Sequence, residues 1–312
     1  MIIKRNFFEK EENYPTVVTI GTFDGVHVGH RKIIDKLVAN AKANKLNSTI
    51  LTFFPHPRMV LQQANDLKLL NTLDEKIAIL ESSGLDQLII HPFTKEFSRM
   101  SAEQYVKEIL VDHINAKKVI IGYDHRFGRN RTANIEDLTE FGEKYGFEVE
   151  QISAEEVDEV SVSSTKIRKA LETGDIATAN SYLGYPYMFS GVVSRGRGIG
   201  KNLGFATANI HIEEKYKLIP KDGIYVVRTQ YDGKLLYGMM SIGFNPTVQG
   251  SNRTIEVHLF DFDSDLYGET LRVEILQRLR DEEKFDSIED LKLQIERDQT
   301  ASLAYIEKLH VD

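Results

Sequence analysis

The sequence TVVTIGTFDGVHVGHRKII, residues 16–34, places a short β-branched run directly before a glycine-rich turn and the start of a helix-like segment. The β-branched run favours a strand, and the apolar spacing of residues 28–45 favours a helix. Gly25 and Gly29 permit a tight turn and a close approach of the backbone to a ligand. The helix N-terminus that follows offers N–H groups and the positive end of a dipole, so the segment predicts a phosphate site.

Strand-like and helix-like segments alternate on either side of this stretch, up to about residue 184. Strands are predicted at residues 16–21, 48–54, 86–92, 117–124 and 147–153, and helices at residues 28–45, 72–83, 101–113, 135–145 and, as a pair, 163–183. Continuous apolar strands separated by helices predict an α/β domain with a parallel sheet covered on both faces. Ligands of such sheets bind beyond the carboxyl ends of the strands.

The pattern changes after Gly184-Tyr185-Pro186, so we predict one domain over residues 1–184 and a second over residues 185–312. Short strands with glycine-rich turns follow, and Asp232-Gly233 between two apolar runs is a strong hairpin signal. Strands at this spacing without intervening helices predict a small antiparallel β-barrel. Residues 287–308 predict a final amphipathic helix.

Composition excludes several classes of function. The 312 residues contain no cysteine, so disulfides, thiolate metal sites and cysteine nucleophiles are excluded. A formal net charge of −8 argues against a large nucleic-acid surface. The N-terminus lacks an apolar signal segment and no run approaches the ~18 apolar residues of a membrane span, so we expect a cytoplasmic protein without a membrane partner. The oligomeric state stays open.

Two motifs carry chemistry in the first domain. His27 and His30 are three residues apart, so both can face one ligand on the first helical turn and donate hydrogen bonds to a phosphate. In the segment of residues 163–168, Ser163 can cap a helix, while Ser164, Thr165 and Arg168 offer donors to phosphate oxygens. A glycine-rich turn with two surface histidines, and an ordinary capped helix, are the alternatives.

A second group of motifs lies in the barrel. Four glycines at residues 196, 198, 200 and 204 suit backbone N–H groups around phosphates, although the segment lacks the ending of a Walker loop. Thr207 and Asn209 are hard oxygen donors suited to Mg²⁺. Strict alternation over residues 254–259 puts Glu256 and His258 on one strand face. A flexible loop and an exposed polar face are the alternatives.

These motifs together resemble a known family. GTFDGVHVGHRKII, residues 21–34, resembles the His-x-Gly-His motif of nucleotidyltransferases and, more narrowly, the adenylyltransferase module of bacterial FAD synthetases. Residues 163–168 resemble the Ser-Ser-Thr-x-x-Arg segment of these enzymes, and Ala-Thr-Ala-Asn at residues 206–209 resembles the Pro-Thr-Ala-Asn of riboflavin kinase modules. Motifs of both modules occur in order between residues 16 and 298, which is more specific than any single motif.

The resemblance implies a Rossmann-like nucleotidyltransferase domain, then a small antiparallel β-barrel kinase domain with a C-terminal helix. It implies ATP-dependent phosphorylation of riboflavin to FMN and adenylylation of FMN to FAD, with Mg²⁺ accompanying ATP and pyrophosphate leaving. His27, His30 and Glu256 would be catalytic, the last as general base for the ribityl hydroxyl. The remaining sites would be these: ATP and phosphate at Gly21, Phe23, Asp24, Gly25, Gly29, Ser163, Ser164, Thr165, Arg168, Gly198, Gly200, Lys201 and Gly204; flavin at Pro55, His56, Pro57, Asp124, Phe127 and Arg280; metal at Thr207 and Asn209.

The chain departs from the family pattern in three places. Residues 122–128 resemble the family's Gly-x-Asp-Phe-x-Phe-Gly segment near the flavin, but His125 replaces the expected aromatic residue. Residues 129–134 lack the glycine expected after that segment, and Ala206 replaces a proline. Loss of one of the two activities, or a flavin-binding protein without turnover, are therefore the alternatives. Cytidylyl or pantetheine transfer shares the histidine motif but does not account for the barrel.

Overall fold

The computed structural model describes residues 1–8, 14–61, 66–122, 125–153, 162–195, 204–247 and 250–309. The chain forms two compact units. The first comprises Met1–Leu69 and Leu73–Ser163, and the second comprises Leu70–Thr72 and Ser164–Asp312. The boundary predicted at residue 184 falls inside the second compact unit, and it stays a prediction.

The first unit contains a six-stranded parallel sheet in the order β1-β4-β3-β2-β5-β6. Its strands are β1 Ile2–Lys4, β2 Thr16–Ile20, β3 Asn47–Phe53, β4 Gln87–His91, β5 Ala116–Gly122 and β6 Glu148–Ile152. The strand order reverses at β2, whose neighbours β3 and β5 lie on opposite sides. Such a reversal opens a crevice at the carboxyl end of the sheet, where the glycine-rich turn begins.

Helices cover this sheet because its strands are apolar on both faces. The helices are α1 Val28–Asn44, α2 Pro57–Leu61, α3 Leu73–Glu81, α4 Ala102–Gln104, which continues as the π-helix Tyr105–His113, and α5 Ile135–Tyr145. Short 3₁₀ turns occur at Phe97–Arg99 and Arg129–Arg131. Val17 and Val18 on β2 and Ile50 and Leu51 on β3 are fully buried, as expected for strands enclosed on both sides.

The second unit begins with the helices α6 Ser164–Thr173 and α7 Ile176–Leu183. A closed antiparallel barrel follows, in the order β10-β11-β8-β7-β12-β9. Its strands are β7 Met188–Ser194, β8 Ala208–His211, β9 Gly223–Tyr231, β10 Lys234–Thr247, β11 Gly250–Leu259 and β12 Thr270–Arg280, and the helix α8 Ile288–Leu309 ends the unit. Asp232 and Gly233 both have positive φ, 47° and 72°, as a two-residue hairpin turn of β9 and β10 requires.

The predicted fold class is confirmed: an α/β domain with a parallel sheet precedes a closed antiparallel barrel and a C-terminal helix. Strand β1 was not predicted from the sequence; it pairs in parallel with β4 and brings Ile2 opposite Gln87. The short helix α2 was not predicted either. Among the described residues, no helix combines the length and apolar character needed to cross a bilayer.

Candidate active sites

The turn after β2 is a compact backbone structure. Phe23, Gly25 and Val26 have φ values of 46°, 86° and 36°, and both apolar side chains are buried. A Cβ atom on Gly21 would lie 3.0 Å from the ring of Phe23, so only glycine fits there without displacing that ring. Positive φ at Phe23 and Val26 is costly for residues with a side chain, and here their burial holds it in place.

His27 and His30 lie at the N-terminus of α1. His27 is the N-cap residue of the helix, and its Nδ1 accepts a hydrogen bond from the backbone N–H of His30 at 3.3 Å. The two rings stack with centroids 3.7 Å apart and planes 15° apart. Gly29 is buried in the same helical turn. The structure therefore brings the two predicted histidines together beside the first N–H groups of the helix.

Both histidines are neutral at physiological pH. Burial lowers the pKa of His27 from 6.5 to about 4, although the negative charge of Asp24 opposes this effect. Burial also lowers the pKa of His30 well below its usual value, and the nearby charges of His27 and Lys76 act in the same direction. Because Nδ1 of His27 is a hydrogen-bond acceptor, the proton of its neutral ring is on Nε2, where it can be donated to a ligand.

Lys76 is a component of this site that the sequence analysis missed. Its side chain extends from α3, is 5% exposed, and donates a hydrogen bond from Nζ to the carbonyl oxygen of Thr22 at 2.7 Å. Asp24, which was predicted to contact ATP, is 2% exposed and interacts electrostatically with Lys76 and His27. In sequence, Lys76 lies in the apolar stripe of Leu73, Ile77 and Leu80, and this position is the signal that identifies a buried lysine.

The second predicted phosphate segment surrounds the start of α6. Ser163 directly precedes the helix, and Ser164 is its first residue. Ser163, Ser164 and Arg168 are half-buried, whereas Thr165 is exposed. The segment thus has the predicted form of a serine-preceded helix N-terminus with an arginine one turn later.

The predicted flavin loops begin at the carboxyl ends of β3 and β5. Pro55 follows a cis peptide bond, Nδ1 of His56 accepts a hydrogen bond from the backbone N–H of Arg58 at 3.1 Å, and Pro57 begins α2. Phe127 is 6% exposed, and its backbone pairs with that of Ala133. Asp124 lies outside the described residues.

A chain of aromatic rings joins these two loop regions. Successive centroids are 5.4 Å apart for Phe53 and Phe97, 6.2 Å for Phe97 and Tyr105, and 5.9 Å for Tyr105 and Phe127. The ring of Phe127 therefore packs in the apolar core of this unit, and 6% of the residue remains exposed. His125, at the first departure from the family pattern, lies over Phe127 with centroids 6.1 Å apart.

The barrel site is formed where β8 meets β11. Thr207 Oγ1 donates a hydrogen bond to Oε2 of Glu256 at 3.1 Å, and Asn209 is the register partner of Glu256. The predicted alternation is confirmed, since Ile255, Val257 and Leu259 are buried while Glu256 and His258 are half-buried. The structure thus brings Thr207, Asn209 and Glu256 together on one strand face.

The end of the glycine-rich segment is anchored beside this face. Gly204 has a φ of 88°, which favours glycine, and Phe205 is buried in the barrel's apolar cluster with its ring 5.4 Å from that of His258. Nδ1 of His258 also bonds to the carbonyl oxygen of Ala206 at 2.8 Å. These contacts fix the direction of the chain that leads to Thr207. The predicted phosphate residues Gly198, Gly200 and Lys201 lie outside the described residues.

Arg280, which was predicted to bind flavin, forms an ion pair with the C-terminal helix. Its Nε and one terminal nitrogen form a bidentate pair with Asp298 of α8, at 2.9 and 2.7 Å, and the other terminal nitrogen donates to the carbonyl oxygen of Asp281 at 2.9 Å. The guanidinium also lies 5.9 Å from the ring centroid of Phe285. Arg280 therefore ties the segment after β12 to the C-terminal helix. This pairing with Asp298 was not predicted from the sequence.

Comparison with known proteins gives the same two halves. The family model described as FAD synthetase matches residues 9–166, and the one described as riboflavin kinase matches residues 183–306. A bifunctional riboflavin kinase/FMN adenylyltransferase of Buchnera aphidicola subsp. Schizaphis graminum is 38% identical over 293 residues, 93% of each chain. The protein of that name in Haemophilus influenzae is 36% identical over 92% of this chain and 93% of its own, and the one in Bacillus subtilis is 32% identical over 96% and 95%.

A solved structure covers both units. The crystal structure of a Streptococcus pneumoniae protein, described as a macrolide-efflux protein, aligns with a TM-score of 0.87 and 30% identity over 96% of this chain and 98% of its own. The sequence matches and the two constellations lie in the same order along the chain. This chain belongs to the bifunctional riboflavin kinase/FMN adenylyltransferase family.

Proposed function

We propose that the chain makes FAD from riboflavin in two ATP-dependent steps, as a kinase and then as an adenylyltransferase. The barrel phosphorylates riboflavin to FMN, and the α/β domain transfers AMP to FMN and releases pyrophosphate. The observation that carries the proposal is the presence of both constellations in one chain: the stacked His27 and His30 at a helix N-terminus, and Glu256 hydrogen-bonded to Thr207.

The adenylyl transfer needs no general base in this proposal. An oxygen of the FMN phosphate is already anionic, and it attacks the α-phosphorus of ATP while the bond to the pyrophosphate oxygen breaks. His27 and His30 donate hydrogen bonds to the charge that develops on the phosphate, beside the positive end of the α1 dipole. Rigid donors are effective here because they need not reorient as the charge develops.

The other phosphate and flavin assignments belong to the same proposal. Ser164, Thr165 and Arg168 bind phosphate oxygens of ATP, with Ser163 at the helix cap. Pro55, His56, Pro57, Asp124 and Phe127 line the flavin side of the adenylyltransferase module. Arg280 belongs to the flavin side of the kinase module, where its pair with Asp298 holds the following segment in place.

The kinase step needs a base because its nucleophile is a primary alcohol. Glu256 takes the proton of the ribityl hydroxyl while that oxygen attacks the γ-phosphorus of ATP, and ADP leaves. The hydrogen bond from Thr207 keeps the carboxylate of Glu256 on the face shared with Asn209. The glycine-rich segment up to Gly204 supplies backbone donors to the phosphates.

The oxygen atoms near Glu256 fit a divalent cation. The hydroxyl of Thr207 and the amide oxygen of Asn209 are hard donors of the kind that Mg²⁺ prefers, and phosphates of ATP and water complete such a site. We therefore propose that Thr207 and Asn209 hold Mg²⁺, which offsets phosphate charge when bound. The cytoplasmic location and the domain boundary between residues 184 and 185 remain predictions within this proposal.

A product assay separates the proposal from its alternatives. Purified protein is incubated with riboflavin, ATP and Mg²⁺, and the flavins are resolved by chromatography; we expect FMN and then FAD. If only FMN accumulates, the chain has retained only the kinase activity. If FAD forms only from supplied FMN, the chain has retained only the adenylyltransferase activity. Flavin binding without ATP consumption would contradict both activities.

A further inference from the structure

Lys76 is a buried cation at the base of the histidine turn. It lies on the face of α3 that also buries Ile77 and Leu80, and only 5% of it is exposed. Burying an ammonium group is unfavourable unless it is hydrogen-bonded and paired with a charge. Burial accordingly lowers the pKa of Lys76, and the negative charge of Asp24 opposes that effect.

The hydrogen bond of Lys76 fixes the point where β2 becomes the turn. Its Nζ donates to the carbonyl oxygen of Thr22 at 2.7 Å, and the hydroxyl of Thr52 on β3 donates to the same oxygen at 3.3 Å. The carbonyl group is thus held from two neighbouring elements. The oxygen belongs to the peptide group directly before Phe23, the first residue with positive φ on the path to His27.

The charge of Lys76 also acts on the histidine pair. Lys76 and His27 each disfavour protonation of His30, while Asp24 favours protonation of His27. Asp24, His27, His30 and Lys76 thus interact electrostatically around this turn. Lys76 therefore favours the neutral form of the imidazole that faces the same turn.

We propose that Lys76 is a positioning residue for adenylyl transfer, because its ammonium group fixes the turn that carries Asp24 and both histidines. The inference rests on the adenylyltransferase function proposed above. Lys76 acts through the Thr22 carbonyl oxygen and through its charge, without touching the reacting phosphates. A displacement of the turn by about 1 Å is enough to lower the rate on the order of 100-fold.

Lys76→Met tests this role, since methionine is also unbranched but has neither charge nor donor. Lys42→Met, which removes an exposed lysine of α1, is the matched control. We expect the kcat for FAD formation from FMN to fall on the order of 10- to 100-fold in Lys76→Met, with FMN formation from riboflavin unchanged. Ring-proton NMR titration should show a raised pKa for His30, because a nearby positive charge has been removed.

If Lys76→Met does not fold, Thr52→Val provides a second test of the proposal. It removes the other donor to Thr22 and keeps the ammonium group, so we expect a smaller fall in FAD formation and an unchanged pKa of His30. Unchanged adenylylation in folded Lys76→Met, or reduced adenylylation with an unshifted His30 pKa, would overturn the proposal. The His30 titration does not depend on activity, so it tests the pairing with Lys76 even if His30→Ala still makes FAD and the proposed function fails.

Discussion

The two proposed sites differ in how they are enclosed. In the first unit, His27 is 3% exposed and Asp24 is 2% exposed, and the turn that carries them contains two buried residues with positive φ. In the barrel, Glu256 and Thr207 are half-buried on an ordinary strand face. One site is a rigid arrangement of neutral donors, and the other is a carboxylate with access to solvent.

In the proposed mechanism, this difference corresponds to the different nucleophiles of the two steps. A phosphate of FMN arrives already charged, so its site needs fixed donors and gains nothing from a base. The ribityl hydroxyl arrives with its proton, so its site needs a carboxylate that is ionised before the reaction. Burial serves the first purpose because buried dipoles are less screened by water.

The largest expected effect is a fall in the rate of FMN formation when Glu256→Gln removes the carboxylate. The amide keeps an acceptor for Thr207 but does not accept the ribityl proton, so kcat for FMN formation should fall about 10²- to 10⁴-fold. FAD formation from supplied FMN should be unchanged. Glu213→Gln, which neutralises an exposed carboxylate of the same unit, is the control. Equal loss of both activities in folded Glu256→Gln would remove the distinction between the sites.

His30→Ala should have the next largest effect, on the opposite activity. Loss of one preorganised donor should lower kcat for FAD formation about 10²- to 10³-fold, while riboflavin is still phosphorylated. His211→Ala replaces an exposed histidine and should match the parent chain in both assays. FAD formation at the parent rate by His30→Ala would show that the stacked rings do not act on the phosphate.

Thr207→Val tests the role of the Thr207 hydroxyl in the barrel site. It removes the hydroxyl that donates to Glu256 and that we propose as a metal ligand, with little change in side-chain volume. FMN formation should fall about 10- to 100-fold, with a raised KM for Mg-ATP. Thr270→Val, at an exposed β12 position, is the matched control. An unchanged dependence on Mg²⁺ concentration would separate Thr207 from the metal.

The last expected effect concerns stability rather than activity and appears only in acid. The pKa of His27 is about 4 in the folded chain and 6.5 when exposed, so between these values the unfolded chain binds more protons and the free energy of unfolding falls as pH falls. The full loss is about 3 kcal/mol and is absent above pH 6.5. His27→Asn keeps a capping side chain. Its free energy of unfolding, measured with denaturant, should depend less on pH below 6.5 than that of the parent chain. The same slope in parent and variant would refute the burial of His27.

The sequence predicted the elements whose patterns are local. The β-branched residues of β2, the helix after it, the Asp232-Gly233 hairpin and the alternation around Glu256 each follow from short-range rules. The strand β1 was missed because three residues near a charged terminus become a strand only by pairing with β4. Parallel pairing across more than 80 residues leaves no local signal.

The site residues likewise divide into those with a local signal in the sequence and those without one. His27 and His30 were found because their spacing places both at the start of one helix, and Thr207 and Glu256 were found because their short motifs resemble those of riboflavin kinase modules. Lys76 and Asp298 were missed because each acts on a residue far away in sequence, Thr22 and Arg280 respectively. A lysine in a helix is normally solvated, and only its place in the apolar stripe of α3 indicates otherwise.

The most direct test of two separate sites is a mixing experiment with riboflavin, ATP and Mg²⁺. His30→Ala alone should stop at FMN, and Glu256→Gln alone should leave riboflavin unchanged. An equal mixture should produce FAD, because FMN released by the first variant is adenylylated by the second. If each variant is folded and the mixture still makes no FAD, then the two steps do not depend on two independent sites, and the central claim is wrong.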